Sequence, residues 1–99
     1  MILATYEKQP SEKKDYDVDY SRWLLDIEDS LDNITTTVEC LDDPTDTSLM
    51  VDSLAITATK LKLWLVGGTS GLEYKVTIKA ETVGSRLDES ELIFQVEDV

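Results

Sequence analysis

Leu72-Glu73-Tyr74-Lys75-Val76-Thr77-Ile78-Lys79-Ala80-Glu81-Thr82-Val83 alternates apolar and polar residues along most of its length. Tyr74, Val76, Ile78 and Ala80 fall on one side of an extended chain, and Glu73, Lys75, Thr77, Lys79 and Glu81 on the other. Side chains of a strand point alternately to its two faces, so this is a ribbon with one buried and one solvated face. The preceding run repeats the pattern, with Leu61, Leu63 and Leu65 alternating with Lys60, Lys62 and Trp64. Gly67-Gly68-Thr69-Ser70-Gly71 separates the two, and its glycines permit the positive φ of a tight reversal. After a second break at Gly84-Ser85, residues 91–99 alternate again, with Leu92, Phe94 and Val96 on one face. Nothing between these three runs has helical period, so adjacent antiparallel strands are expected.

The upstream half is less regular. Asp15-Tyr16-Asp17-Val18-Asp19-Tyr20 sets three aspartates against Tyr16, Val18 and Tyr20, a half-buried strand. Ser21 is placed to cap a short helical turn. Leu25, Ile27 and Leu31 leave a longer helix open as an alternative, and Trp23 reads as a core plug. Residues 33–41 are rich in β-branched side chains and read as a strand. Asp42-Asp43-Pro44-Thr45-Asp46 is a turn, and two short strands are expected at 49–51 and 55–58. Residues 1–14 show no sustained period and read as a flexible N-terminal arm preceding a domain at 15–99. The fold class is therefore all-β, an antiparallel immunoglobulin- or fibronectin type III-like β-sandwich of six or seven strands. Its expected core is Val18, Tyr20, Trp23, Ile34, Val38, Leu61, Leu63, Leu65, Tyr74, Val76, Ile78, Leu92, Phe94 and Val96.

Composition narrows the function. Ninety-nine residues make one domain, and the formal charge is −12. Such a surface repels phosphate backbones and anionic membranes and favours basic protein partners. One cysteine, Cys40, and no histidine leave no disulfide, no zinc constellation and no Ser–His or Cys–His pair. The start of the chain lacks a charged segment followed by a long apolar one, so no signal peptide is expected, and no apolar run reaches membrane-spanning length.

Two resemblances add to this. The last forty residues resemble the end of a fibronectin type III domain, which places a tyrosine after a Gly-containing loop and bonds its hydroxyl to backbone across the corner. Tyr74 is the matching residue. More of the chain resembles a family of small proteins of tailed bacteriophages and prophages. The matching residues are Asp15-Tyr16-Asp17-Val18-Asp19-Tyr20-Ser21-Arg22-Trp23-Leu24, then Trp64-Leu65, Gly67-Gly68-Thr69-Ser70-Gly71-Leu72-Glu73-Tyr74, and Thr82-Val83-Gly84-Ser85-Arg86 with Asp88 and Glu89. Residues 26–53 do not contribute. This resemblance implies a virion structural or assembly protein of the head surface, neck or head–tail junction. It would bind other phage structural proteins, working in the host bacterial cytoplasm during assembly and then in the virion, with homo-oligomerisation open.

Chemistry is sparse. Asp42, Asp43, Asp46 and Asp52 offer hard oxygen ligands, but the twelve-residue calcium loop is absent, and Asp-rich turns are ordinarily solvated. The Gly67–Gly71 loop lacks the lysine and helix of a phosphate loop. Arg86 with Asp88 and Glu89 reads as a turn with local ion pairs. No catalytic residue, cofactor or metal is expected. The expected partner-binding residues are Ile2, Leu3 and Tyr6 of the arm, which would add a strand to a neighbour's sheet, and the row Asp15, Asp17 and Asp19, which would face a basic partner. The alternative is a free acidic module or DNA mimic that blocks a host protein.

Overall fold

Seven strands and one short helix follow one another in the computed structural model, which describes residues 2–98; Met1 and Val99 lie outside the described residues. The order is β1 (Ile2–Lys8), β2 (Lys14–Asp19), α1 (Ser21–Asp26), β3 (Leu31–Cys40), β4 (Met50–Ile56), β5 (Lys60–Val66), β6 (Glu73–Thr82) and β7 (Leu87–Val96). One sheet runs β1-β7-β6-β3 and the other β2-β5-β4, so the protein is an all-β sandwich of seven strands.

The alternation read from the sequence decides which face turns inward. Tyr74, Val76, Ile78 and Ala80 of β6, Leu63 and Leu65 of β5 and Phe94 of β7 are wholly buried, with Leu61, Leu92 and Val96 nearly so. Their registers agree: β6 meets β7 with Val76 opposite Leu92 and Tyr74 opposite Phe94, and β3 with Val76 opposite Val38. Burying such side chains stabilises by about 1.5–3 kcal/mol each, which holds the two sheets face to face. Cys40, Leu24, Leu31 and Leu49 complete the core.

The upstream half departs from expectation. Residues 2–8, read as part of an arm, form β1 at the edge of the larger sheet. β1 pairs in parallel with β7, so the sheet is mixed and not wholly antiparallel. Tyr6 packs against Tyr16 and Phe94, with ring centroids 4.7 and 5.4 Å away, which ties β1 into the sandwich. The helix stops at Asp26, and Leu31 belongs to β3, so the longer helix is not formed. Within α1 the core plug is Leu24, wholly buried, while Trp23 is only half-buried: one step along a helix turns the side chain by about 100°. Ser21 is the first helical residue and not the cap. Its N–H donates instead to Asp19 Oδ1 at 2.8 Å. The two short strands expected around residue 53 are one strand, β4, whose register shifts between Val51 and Ser53.

Candidate docking surfaces

The sandwich is elongated, 43 × 21 × 19 Å, and its two ends differ in chemistry. At the glycine end, polar groups lock the loops to one another. Tyr74 Oη, at the buried start of β6, accepts the Thr69 backbone N–H at 2.9 Å and lies 3.1 Å from Ser48 Oγ. Asp46 accepts from the Ser48 and Thr69 hydroxyls, and these bonds, Ser48 first, hold its carboxyl well below the ordinary range. Tyr74 thus bonds the backbone of the loop that precedes it. The Gly67–Gly71 loop spends its groups internally: Gly71 N–H donates to Val96 O at 2.8 Å, and Leu72 N–H to Thr69 O at 3.2 Å. Lys8, almost fully buried at the last inward position of β1, donates its ammonium to Gly67 O at 2.6 Å and Gln9 O at 2.9 Å. Burial lowers its pKa, opposed by the nearby Glu12.

The opposite end carries α1, the start of β1 and the β6–β7 turn. Asp29 ties the helix to the turn. It pairs with Arg86 at 2.8 Å, accepts the Gly84 N–H at 3.0 Å, and has a side chain only 5% exposed. The neighbouring Thr82 hydroxyl, with the Ser30 and Gly84 N–H groups and Arg86, holds its carboxyl far below the ordinary range. Arg86 therefore reaches across to Asp29 and does not pair with Asp88 or Glu89. Glu89 lies 3.7 Å from Lys79, and Asp88 accepts the Ser90 hydroxyl at 2.7 Å. Around this lock large apolar side chains stand in solvent: Ile2 and Leu3 of β1, Leu25 of α1, and Val83 and Leu87 flanking the turn.

Among them opens a cleft of about 440 Å³. Leu3 and Ser90 with Asp88 form its β1–β7 wall, Val18, Asp19 and Tyr20 its β2 wall, and Arg22, Trp23 and Asp26 its helical wall. Tyr20 is 7% exposed, and its ring meets Trp23 edge-on at 6.3 Å. Its hydroxyl makes no hydrogen bond of full geometry, although Ser90 is near enough to interact with it and Asp88 lies close by. Burial, reinforced by Asp88, pushes its pKa up to about 12.

A second apolar strip runs along β4, the edge of the smaller sheet, where Met50, Leu54 and Ile56 remain exposed. Leu54 and Ile56 sit opposite the buried Leu63 and Leu61, so they face inward, but the sandwich leaves them partly uncovered. The outer face of that sheet is charged and internally compensated. Lys62 pairs with Asp15 at 2.8 Å and Asp17 at 3.3 Å, which lowers the Asp15 pKa and raises that of Lys62.

A model of the family described as podophage GP4 fiber-tail adaptor protein gp77 matches residues 8–95, from the last residue of β1 into the end of β7. The chain belongs to that family. The gp77 adaptors are phage structural proteins and not a family of enzymes, which makes this chain a phage virion protein. A comparison with the curated proteins finds no match. The stretch matched to the gp77 family holds α1, β4 and every cleft residue except Leu3.

Of the residues singled out from sequence, Ile2 and Leu3 are exposed at the α1 end, whereas Tyr6 faces the interior. Asp15 and Asp17 are engaged by Lys62, and Asp19 accepts the Ser21 N–H at the start of α1 and rims the cleft. The turn aspartates are dispersed: Asp42 accepts from Glu73 N–H, Asp43 from Thr45, Asp46 from Ser48 and Thr69, and Asp52 pairs with Lys13. Among the described residues no three acidic, histidine or cysteine side chains converge as a metal site. None of the described helices is long and apolar enough to cross a membrane. Sequence reasoning missed the cleft because its walls come from β1, β2, α1 and β7; it named Leu3 and Asp19 separately, with nothing to show that they line one opening.

Proposed function

We propose that this protein is a fiber-to-tail adaptor of a podophage virion, a non-catalytic joint that binds a tail component through one surface and a fiber component through another. The single observation that carries this reading is the family match over residues 8–95. The structure supports it in a specific way, because an adaptor needs two surfaces that do not overlap. The α1 end offers Leu25, Val83, Leu87 and the cleft, and the β4 edge offers Met50, Leu54 and Ile56. Scattered exposed apolar side chains are ordinary on a protein surface, but apolar groups gathered at one end and along one edge mark places where partners dock. β4 is an edge strand, so its unpaired backbone groups suit a strand added by a partner.

The strand orders support an immunoglobulin-type reading of the sandwich. β2-β5-β4 and β3-β6-β7 reproduce the B-E-D and C-F-G orders of that fold, with the first strand moved across to lie beside the last. The Asp15–Asp19 row gives a DNA mimic less support than its three carboxylates suggest, because Lys62 sits against Asp15 and Asp17 and offsets one of their two charges.

Photo-crosslinking tests the two-surface reading. Benzoylphenylalanine placed at Leu25 and, separately, at Met50 in assembled particles is expected to capture two different virion proteins. Capture of the same protein from both positions, or of none, contradicts an adaptor role.

A further inference from the structure

We propose that the cleft beside α1 is a socket for one arginine or lysine side chain, carried between apolar residues on a segment of the virion protein that docks at this end. The inference rests on the adaptor reading and names the chemistry of one of its two partners. The floor is apolar: Leu3, Val18 and the rings of Tyr20 and Trp23 present the surface that the aliphatic stem of a long cationic side chain covers. The rim is acidic. Asp19, Asp26 and Asp88 stand around the opening, and among the described residues Arg22 is the only cation lining it. The chain as a whole carries −12, so a cationic tip is drawn toward this opening and an anionic one repelled.

The state of Tyr20 is the independent pointer to a ligand. A phenol more than nine-tenths buried normally finds a well-formed hydrogen bond, yet the Tyr20 hydroxyl has none of full geometry: its nearest candidate, Ser90, is turned to donate to Asp88 at 2.7 Å. A guanidinium or ammonium that reaches Asp88 takes over the donor role of Ser90. The serine hydroxyl is then free to turn to Tyr20. Binding therefore gives the Tyr20 hydroxyl a partner, and it sets a full positive charge against the Asp88 carboxylate, where Ser90 supplies only a neutral donor. A purely apolar anchor fills the floor but leaves Tyr20 as it is.

The test uses the full chain with Trp64→Phe, so that Trp23 is the only tryptophan. Its probes are three capped peptides, acetyl-Leu-Arg-Leu-amide and its norleucine and glutamate counterparts. The arginine peptide is expected to perturb Trp23 fluorescence and the Asp88–Ser90 amide resonances at least tenfold more tightly than the other two. Asp26→Asn with Asp88→Asn is expected to abolish that preference while keeping the melting temperature and leaving norleucine binding unchanged. Equal binding of the arginine and norleucine peptides, or no perturbation at millimolar peptide, overturns the socket. So does self-association of the protein that the same two substitutions abolish, since it would seat a second copy there. A particle arm separates this proposal from the adaptor reading. Wild-type chain present in purified particles, with the double variant absent, supports the socket. Incorporation of both at equal stoichiometry overturns the socket and leaves the adaptor reading standing, whereas absence of the wild type overturns the adaptor reading.

Discussion

Gly67 and Gly71 both hold positive φ, +82° and +89°, in the loop between β5 and β6, yet alanine is expected to be tolerated at one and not at the other. A Cβ on Gly71 meets nothing within 4 Å, so Gly71→Ala costs only the left-handed backbone strain, about 1–2 kcal/mol. A Cβ on Gly67 falls 2.1 Å from the backbone carbonyl oxygen of Ser48, which no side-chain rotation relieves. Either the glycine loop or the β3–β4 loop must move, at a further cost of about 3 kcal/mol, the upper end for overpacking. That movement also strains the bonds joining Ser48, Thr69, Asp46 and Tyr74. Gly67→Ala is therefore expected to lose about 4–5 kcal/mol, a large share of the stability of a domain this size. Urea unfolding of both variants and the wild type, followed by circular dichroism with slopes compared, measures the gap directly. Equal losses in the two variants, or a loss below about 2 kcal/mol for Gly67→Ala, would refute the reasoning that the two loops are in rigid contact.

Three further outcomes follow from the core and the titrating groups. Val76→Ala or Ile78→Ala, at wholly buried positions, should each cost about 2–4 kcal/mol in the same unfolding assay. Asp29 and Asp46 have folded pKa values depressed below the ordinary 3.8, so the unfolded chain holds more protons in that window. Their stabilisation is complete above about pH 5 and is lost as pH falls through 3.8 toward the folded values, and acid unfolding of Asp29→Asn with Asp46→Asn should show a flatter slope there. Tyr20 works in the opposite direction. With its pKa raised from 10 to about 12, it favours the fold below pH 10 and disfavours it as pH rises toward 12, so phenolate absorbance should show a late-titrating tyrosine that Tyr20→Phe removes.

The downstream half of the fold was legible because β5 and β6 keep a period of two, and β7 keeps it apart from the extra buried Ile93. Leu63, Val76, Ile78 and Phe94 could be assigned to the interior from spacing alone, and all are wholly buried. β1 was not legible. Its inward residues are Ala4, Tyr6 and Lys8, a sequence with little apolar contrast, and its partner is the far end of the chain, which no local pattern reveals. β4 was divided in two because a register shift interrupts it and nearly every residue is exposed, which erases the alternation. Trp23 and Leu24 exchanged roles because a single helical turn sets the inward direction differently from the strand before it. The cleft needed four elements to be placed before it existed, so the sequence offered its residues without their assembly. Ile2 and Leu3 were expected on a flexible arm, and the structure instead places them, exposed, at the start of a strand paired with β7.

The central claim is that this chain joins fiber to tail. Phage particles grown without its gene, purified and imaged, test it most directly by the number of fibers on each tail. The account predicts intact heads and tails with fibers missing, and fibers regained when the purified protein is added back with fiber protein. Fibers at wild-type number on particles that lack the chain would contradict it.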